Sequence, residues 1–284
     1  MGDKRYFLRA ALLFFLAVTA AGNAFAEKPG GKTARLSPKD YYTEDYLLLK
    51  KRIVNRFAES RQAPMTPLDP LPEQGYQGNK TIALTFDACS GRSSSYNKNL
   101  IEYLRAEKIP ATLFITGIWI DKYPDKFREL GADPLFEIEN HGLRHMACSY
   151  AGEKRYGVNT VHKIGDMVDE IELGARKIEA ATGRRPTFYR PAAAYTDSVC
   201  MGVAQALGME VITFSLLSGD AVPKVPARII RDNILKRARP GAVVIMHFNR
   251  PEWHELEALK EAVPVLRARG YSFARLEDFS ISGE

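Results

Sequence analysis

Residues 81–87, TIALTFD, place an aspartate directly after a run of strand-forming residues. Three further predicted strands end in the same way, with an ionisable side chain at or just past the last residue: 135–139 with His141, 187–189 with Arg190, and 242–246 with His247. Strands that are apolar along nearly their whole length are typical of a parallel sheet covered by helices. The repeated ending indicates that several strands deliver chemically active side chains to one place.

Helices are predicted between these strands, where apolar residues recur at helical spacing: 96–107, 164–182 and 253–269. Additional strands are predicted at 111–116, 211–215 and 271–276. Alternation of strands and helices favours an α/β protein, either an open doubly wound sheet or a closed barrel. In a parallel barrel the carboxyl ends of the strands converge on one face, where active sites lie. We therefore expect the four strand-end side chains, beginning with Asp87, to share one rim.

The first 79 residues differ in character from the rest of the chain. Residues 1–26 have a positive start, a short apolar run at 10–21 and a small-x-small cleavage site at 24–26, which together predict a signal peptide. A membrane anchor is the alternative, but the apolar run is shorter than the roughly 20 residues that span a bilayer. Residues 27–79 are predicted to be an N-terminal extension with a helix at 38–60 and a proline-rich linker, and residues 80–284 the main domain. We expect a periplasmic or secreted protein without a membrane span after cleavage.

Composition bounds the possible partners of the chain. It has 284 residues and a formal net charge of +6, and no dense Lys/Arg tract is interleaved with aromatic residues, so nucleic-acid binding is not expected. An exported protein can keep a disulfide. The three cysteines, Cys89, Cys148 and Cys200, are compatible with one disulfide and one thiol or with three thiols. The sequence does not fix the oligomeric state.

The residues at the strand ends are of the types that metal-dependent hydrolases use as metal ligands, general base and general acid. His141 and His145, in HGLRH, would point the same way from a helical turn and could share one metal ion. Asp87 is a candidate general base, and Arg190 could keep its carboxylate ionised. His247 is a candidate general acid, which Asp220 could keep protonated. The alternatives are a surface histidine pair, a turn aspartate and a core histidine, and we expect His162 and His254 to be surface residues.

Five motifs carry a resemblance to a known family. The segments LTFDACSG, NHGLRH, FYRPAAAY, a strand followed by GD, and VVIMHF occur between about residues 80 and 280. Their order resembles that of the polysaccharide deacetylase family, carbohydrate esterase family 4. The resemblance implies a distorted (β/α) barrel of about seven parallel strands and a divalent metal, usually zinc. It also implies removal of acetyl groups from the N-acetyl sugars of a polysaccharide, or of O-acetyl groups from xylan.

The resemblance also assigns roles to individual residues. Asp87 resembles the family's catalytic base, oriented by Arg190, and His247 resembles the catalytic acid, tuned by Asp220. His141 and His145 resemble its two metal-binding histidines. The implied reaction is amide hydrolysis in which water attacks the acetyl carbonyl, leaving acetate and a free amine.

The sequence departs from the family pattern at three places. Where a second aspartate normally binds the metal, this chain has Ala88; Cys89 is adjacent, but we expect Asp87, water or another carboxylate to complete the site, or the metal to bind weakly. Where an aromatic residue normally follows the arginine, this chain has Ala193, so Tyr195 is assigned to substrate binding near the oxyanion hole. No tryptophan lies near Asp220 in sequence, and the wall of the acetyl pocket is expected at Phe214 or Leu216.

Two other functions remain open at this point. Ala88 is compatible with a catalytically impaired relative that binds glycan or a cell-envelope partner. A different barrel enzyme, such as a glycoside hydrolase, would need two rim carboxylates roughly 5 to 9 Å apart. Asp87 and Asp220 are the candidates for that pair, and the histidines would then have no role.

Overall fold

The protein is described by a computed structural model over residues 41–58, 80–89, 91, 93–152, 156–222 and 224–279. The predicted signal peptide, the start of the 38–60 helix and the proline-rich linker fall outside these residues. In the described part of the chain, no helix combines the length and the apolar character needed to cross a membrane.

Helices and strands alternate along most of the chain. The helices are α1 (Glu44–Phe57), α2 (Lys98–Ala106), α3 (Gly117–Lys122), α4 (Pro124–Gly131), α5 (Ile164–Thr182), α6 (Ser198–Ala206), α7 (Ala227–Arg237) and α8 (Glu255–Ala268). The strands are β1 (Thr81–Ala88), β2 (Ala111–Ile115), β3 (Phe136–Asn140), β4 (Ala147–Cys148), β5 (Thr160–Val161), β6 (Phe188–Tyr189), β7 (Glu210–Val211), β8 (Leu216–Leu217), β9 (Ala242–His247) and β10 (Ser272–Ala274).

The main sheet is parallel and has β1 at its centre. Its hydrogen-bonded path runs β7-β6-β3-β2-β1-β9-β8, and β10 pairs with the start of β1. Every residue of β1 is buried: one face of the strand packs into the core formed with the helices, and Ala83 on the other face packs into a second apolar cluster. The seven-stranded parallel path with its covering helices confirms the predicted distorted (β/α) barrel.

The predicted strand at 211–215 is wrong. The chain there divides into β7, which pairs with β6, and β8, which pairs with β9, so the path of the sheet is interrupted between them. The carbonyl of Thr213 lies in this interruption and accepts a hydrogen bond of 2.6 Å from Nη2 of Arg190 instead of from a strand. A buried backbone carbonyl needs a partner, and here an arginine side chain supplies it.

The N-terminal helix α1 packs against α5 and α6. Tyr46 and Ile53 are buried in the same hydrophobic cluster as Met167 and Val203. The hydroxyl of Tyr46 donates to Asp169, and Nζ of Lys50 contacts the same carboxylate. Within the described residues, the predicted helix at 38–60 corresponds to α1, which packs on the same apolar cluster as α5 and α6.

A disulfide joins Cys148 to Cys200 and leaves Cys89 as a thiol. It ties the end of β4 to the first turn of α6. Asp197 caps that helix by accepting from the N–H of Cys200, and its other oxygen accepts from the hydroxyl of Ser149 at 2.9 Å. The segment after the HGLRH motif is thus fixed to α6 both covalently and by hydrogen bonds.

Replacing Cys148 and Cys200 together with serine should lower the free energy of unfolding by about 4 kcal/mol, since a cross-link over this span of 52 residues restricts the unfolded chain. Urea unfolding with and without a reducing agent measures the effect. The variant Cys89→Ser keeps the disulfide and should stay close to the parent. Equal stability of the oxidised and reduced parent would contradict a native disulfide.

Glu137 is buried inside the sheet, and burial raises the pKa of its carboxyl. Its Oε2 accepts from the hydroxyl of Thr112 at 2.6 Å, while Oε1 is buried without a partner among the described residues. The pKa of Glu137 is therefore higher in the folded than in the unfolded protein. Protonated Glu137 contributes its full share to the free energy of unfolding at low pH, and this contribution is lost as the pH rises through the folded-state pKa.

Glu137→Gln should therefore stabilise the protein more at pH 8 than at pH 5, since the amide has no charge to bury. We expect a difference of a few degrees in the change of Tm, as about 1 kcal/mol shifts Tm by roughly 2–4 °C in a protein of this size. Thermal unfolding at the two pH values tests this. Glu210→Gln, at an exposed position of β7, is the control. A change of Tm in Glu137→Gln that is the same at pH 5 and pH 8 would show that Glu137 does not titrate between these pH values.

Candidate active site

A buried ion pair links the middle of the sheet to the strand-end residues. Nη1 of Arg190 donates to Oδ1 of Asp87 at 2.8 Å and to the hydroxyl of Thr85 at 2.9 Å. The guanidinium also lies over the ring of Phe114, 4.0 Å from its centre. Arg190 is fully buried and Asp87 is 3% exposed, so each charge depends on the other.

The pair keeps Asp87 ionised. Burial by itself would raise the pKa of this carboxyl, but the charges of Arg190 and His141 outweigh burial and hold the pKa below its usual range. Oδ1 is occupied by Arg190, whereas Oδ2 lies 3.7 Å from Nε2 of His141. One carboxylate oxygen is therefore fixed while the other faces the histidines.

The backbone of Arg190 orients His141. Nδ1 of His141 lies 2.7 Å from the carbonyl oxygen of Arg190, and because a carbonyl can only accept, Nδ1 carries the proton. This leaves Nε2 facing Asp87 and Cys89. A histidine that donates through one nitrogen to a carbonyl is in the state in which the other nitrogen binds metal.

His141 and His145 come together by a route different from the predicted helical turn. Residues 141–146 form a loop, and His145 has a positive φ of 64°. Glu170 of α5 organises this loop: its Oε1 accepts from the N–H groups of Arg144 and Met146 at 2.9 and 3.0 Å. The two imidazole rings lie 5.0 Å apart, so the side chains meet as predicted although the backbone does not form a helix.

Gly142 allows this close approach of loop and helix. It has a φ of +84°, and a Cβ at this position would lie 2.6 Å from Oε1 of Glu170. Any side chain here would push the loop away from α5. The loop therefore requires glycine at position 142, which the spacing of the two histidines does not show.

Cys89, His141 and His145 form a group of three side chains of the types that bind metal. One ligand atom from each of Cys89, His141 and His145 lies within 4.8 Å of the others, the single such group found in the described part of the chain. Sγ of Cys89 is 3.7 Å from Nε2 of His141. The third group in this cluster is therefore a thiol, where we had expected a carboxylate or water.

On the neighbouring strand β9, His247 is paired with Asp220. The backbones of His247 and Asp87 stand opposite each other in the register of β1 and β9. Nδ1 of His247 lies 3.0 Å from Oδ2 of Asp220, which is almost fully buried. Burial would lower the pKa of His247, but the Asp220 carboxylate and the nearby Cys89 raise it well above its usual range.

Two residues near His247 were not found from the sequence. The ring of Trp253 lies edge-on to that of His247, 5.2 Å away. Glu255 is fully buried, neither of its carboxyl oxygens has a hydrogen-bond partner among the described residues, and burial together with the charge of Asp220 raises its pKa to about 9. No local motif marks either residue, because both reach the site from the loop and helix after β9.

The remaining predicted positions fall in different environments. Tyr195 is 7% exposed and follows a 3-10 turn, Ala192–Ala194, that begins directly after Pro191. Leu216 is buried in the hydrophobic core between sheet and helices, which does not suit the wall of an open pocket. His162 and His254 are exposed, as expected.

The sequence and the fold match known proteins. The sequence profile of the family described as polysaccharide deacetylase matches residues 74–212. Residues 74–212 therefore belong to this family. It is 25% identical over 240 residues to the peptidoglycan-N-acetylmuramic acid deacetylase PdaA of Bacillus subtilis, covering 82% of this chain and 85% of that protein. It is 26% identical over 208 residues to a chitooligosaccharide deacetylase of Bradyrhizobium, covering 68% and 88%.

Solved structures of the family share the fold. The structure of Bacillus subtilis PdaA, a family 4 carbohydrate esterase, has a TM-score of 0.61 and 22% identity, covering 74% of this chain and 84% of that one. A family 4 pseudoenzyme from Bacillus anthracis has a TM-score of 0.58 and 21% identity, covering 72% and 66%. A protein described as an esterase and one described as a pseudoenzyme thus share this fold, so the fold by itself does not show activity.

Breaking the buried ion pair should be strongly destabilising. Arg190→Met leaves Asp87 buried without its partner, and we expect a loss of about 3–5 kcal/mol in urea unfolding. Adding Asp87→Asn should recover part of that loss, since the stranded charge is gone. Arg228→Met, on the exposed side of α7, should change stability by less than about 1 kcal/mol. Strict additivity of the Arg190 and Asp87 substitutions would show that the two charges are not coupled.

Proposed function

We propose that this protein is a metal-dependent hydrolase that removes acetyl groups from the N-acetylated sugars of an extracytoplasmic polysaccharide. The observation that supports this best is the pairing of Asp87 with His247 on neighbouring strands. Each has a buried partner of opposite charge, Arg190 for the carboxylate and Asp220 for the imidazole. A base and an acid are thus provided side by side.

The two groups are suited to opposite proton transfers. Asp87 is ionised and has a free Oδ2, so it can accept a proton from the water that attacks the acetyl carbonyl. His247 is held protonated by Asp220 and can donate to the departing sugar nitrogen. Asp87 ends the reaction protonated and His247 neutral, and exchange with solvent restores both. The products are acetate and a free amine.

His141 and His145 would hold a divalent metal, most simply Zn²⁺. The Nε2 of His141, which is not used by the hydrogen bond to the carbonyl of Arg190, and the nearby ring of His145 fit this assignment. When bound, such an ion polarises a carbonyl and makes water more acidic. Tyr195, buried beside the turn after Arg190, is proposed to contact the substrate.

The substrate is proposed to be peptidoglycan, a chitin-like oligomer or an exopolysaccharide. The predicted signal peptide at 1–26 would place the protein in the periplasm or outside the cell, where such polymers occur. The alternatives have less support. The carboxylates that a glycoside hydrolase would need, Asp87 and Asp220, are each engaged by a basic partner.

The mature protein, loaded with Zn²⁺, should release acetate from at least one member of a panel of N-acetylated peptidoglycan, chitin oligomers and exopolysaccharide. Asp87→Asn should lower the rate by about 10²–10⁴-fold, the usual contribution of a positioned base, and His141→Ala should lower it by removing a metal ligand. His162→Ala is the matched control, because that histidine is exposed, and it should retain full activity.

A parent protein that releases no more acetate than Asp87→Asn across the whole panel would exclude the enzyme. Retained binding to the same polymers would then favour a glycan-binding relative of the kind that a family pseudoenzyme represents.

A further inference from the structure

Cys89 continues the inner face of β1. Side chains of a strand alternate between its two faces. Thr85 and Asp87 turn inward to Arg190, whereas Phe86 and Ala88 are fully buried in the core on the helix side. Cys89 is therefore the next inward position after Asp87, and Ala88 contributes only a methyl group to the core.

The distance between Cys89 and His141 matches that of two ligands on one ion. Bonds of about 2.3 Å to sulfur and 2.0–2.1 Å to nitrogen at a tetrahedral angle place the two ligand atoms about 3.6 Å apart. Sγ of Cys89 and Nε2 of His141 are 3.7 Å apart. This is long for a strong hydrogen bond and suits a shared ion.

The backbone of Cys89 is held in place by two donors. Its carbonyl oxygen accepts from the hydroxyl of Ser94 at 2.7 Å and from Nδ2 of Asn249 at 3.1 Å. Ser94 and Asn249 are themselves buried and bonded to each other at 3.1 Å. The thiol is thus positioned by surrounding groups in the way that metal ligands commonly are.

Asp87 is less suited to this role. Its Oδ1 is taken by Arg190, and it does not belong to the group of atoms that lie within 4.8 Å of one another. Coordination by its remaining oxygen would also remove the free base. A thiol ligand leaves Asp87 available.

We propose that Cys89 is the third protein ligand of the metal, as a thiolate beside His141 and His145, in the place of the carboxylate that the family pattern has at position 88. Binding replaces the S–H bond by a sulfur–metal bond, and the proton leaves to solvent. Two imidazoles and a thiolate leave a fourth position open, as a catalytic zinc site requires. The proposal deepens the proposed function and rests on it for the presence of the metal.

A thiolate makes the site selective for softer ions. Sulfur ligands favour zinc and similar metals, whereas carboxylates suit magnesium and manganese. Replacing the sulfur with a carboxylate should therefore alter the order of metal preference without removing the site. Cys89→Asp makes that change, and Cys89→Ser removes the strong ligand at nearly constant size.

Titration of the full mature protein with Co²⁺ tests the proposal directly. A sulfur-to-cobalt charge-transfer band in the near ultraviolet is expected for the parent at one equivalent of metal. Its source is unambiguous, because the chain has three cysteines and the other two form the disulfide. The band should be absent from Cys89→Ser and Cys89→Asp, and His145→Ala should weaken cobalt binding at least tenfold. Zn²⁺ should protect Cys89 from iodoacetamide, measured by mass spectrometry.

Other outcomes would overturn the proposal. Cobalt that binds to the parent without the charge-transfer band, or a thiol alkylated equally fast with and without Zn²⁺, would show that sulfur is not a ligand. Cys89→Asp should also gain affinity for Mn²⁺ relative to Zn²⁺, and an unchanged ratio would count against the thiolate. Acetate release by a protein that lacks the band would support the deacetylase function and contradict the thiolate ligand. The band in a protein that releases no acetate would support the thiolate ligand and contradict the deacetylase function.

Discussion

The ion pair between Arg190 and Asp87 is the interaction on which the rest of the site depends. Its guanidinium binds the carboxylate on β1 and the carbonyl of Thr213 where the sheet is interrupted. Its backbone carbonyl fixes the proton of His141. One buried residue therefore sets the charge of Asp87, the proposed base, orients His141, the proposed metal ligand, and closes a gap between strands. Because a buried charge without a partner is costly, loss of the guanidinium would disturb both Asp87 and the carbonyl of Thr213.

Buried partners of opposite charge also separate the proposed acid, His247, from the proposed base, Asp87. Asp87 and His247 stand opposite each other on β1 and β9, yet a cationic partner lowers the pKa of one and an anionic partner raises the pKa of the other. Opposite environments for neighbouring titratable groups are how enzymes assign the two proton transfers. The fold places the ends of β1 and β9 next to each other. The buried partners then shift the pKa values of Asp87 and His247 in opposite directions.

Much of the architecture follows from local patterns. Apolar strands ending in charged residues predicted the parallel sheet and the shared rim, and α5 has the predicted bounds, Ile164–Thr182. Features that depend on contacts between distant segments were missed. The interruption at Thr213 needs Arg190, the HGLRH loop needs Glu170 of α5, and Trp253 reaches His247 only after the chain turns back from β9. The sequence does not indicate Cys89 as a ligand, because spacing alone does not show which strand face a thiol occupies.

The measurement that bears most directly on this arrangement is anomalous diffraction at the zinc edge from a crystal of the mature protein soaked in Zn²⁺. One ion is expected about 2.0–2.1 Å from a ring nitrogen of His141 and of His145 and about 2.3 Å from Sγ of Cys89, with Arg190 still bound to Asp87. No ion at saturating zinc would contradict a metal centre at these histidines. An ion bound by Asp87 in place of Cys89, with the Arg190 pair broken, would contradict the roles given to both residues.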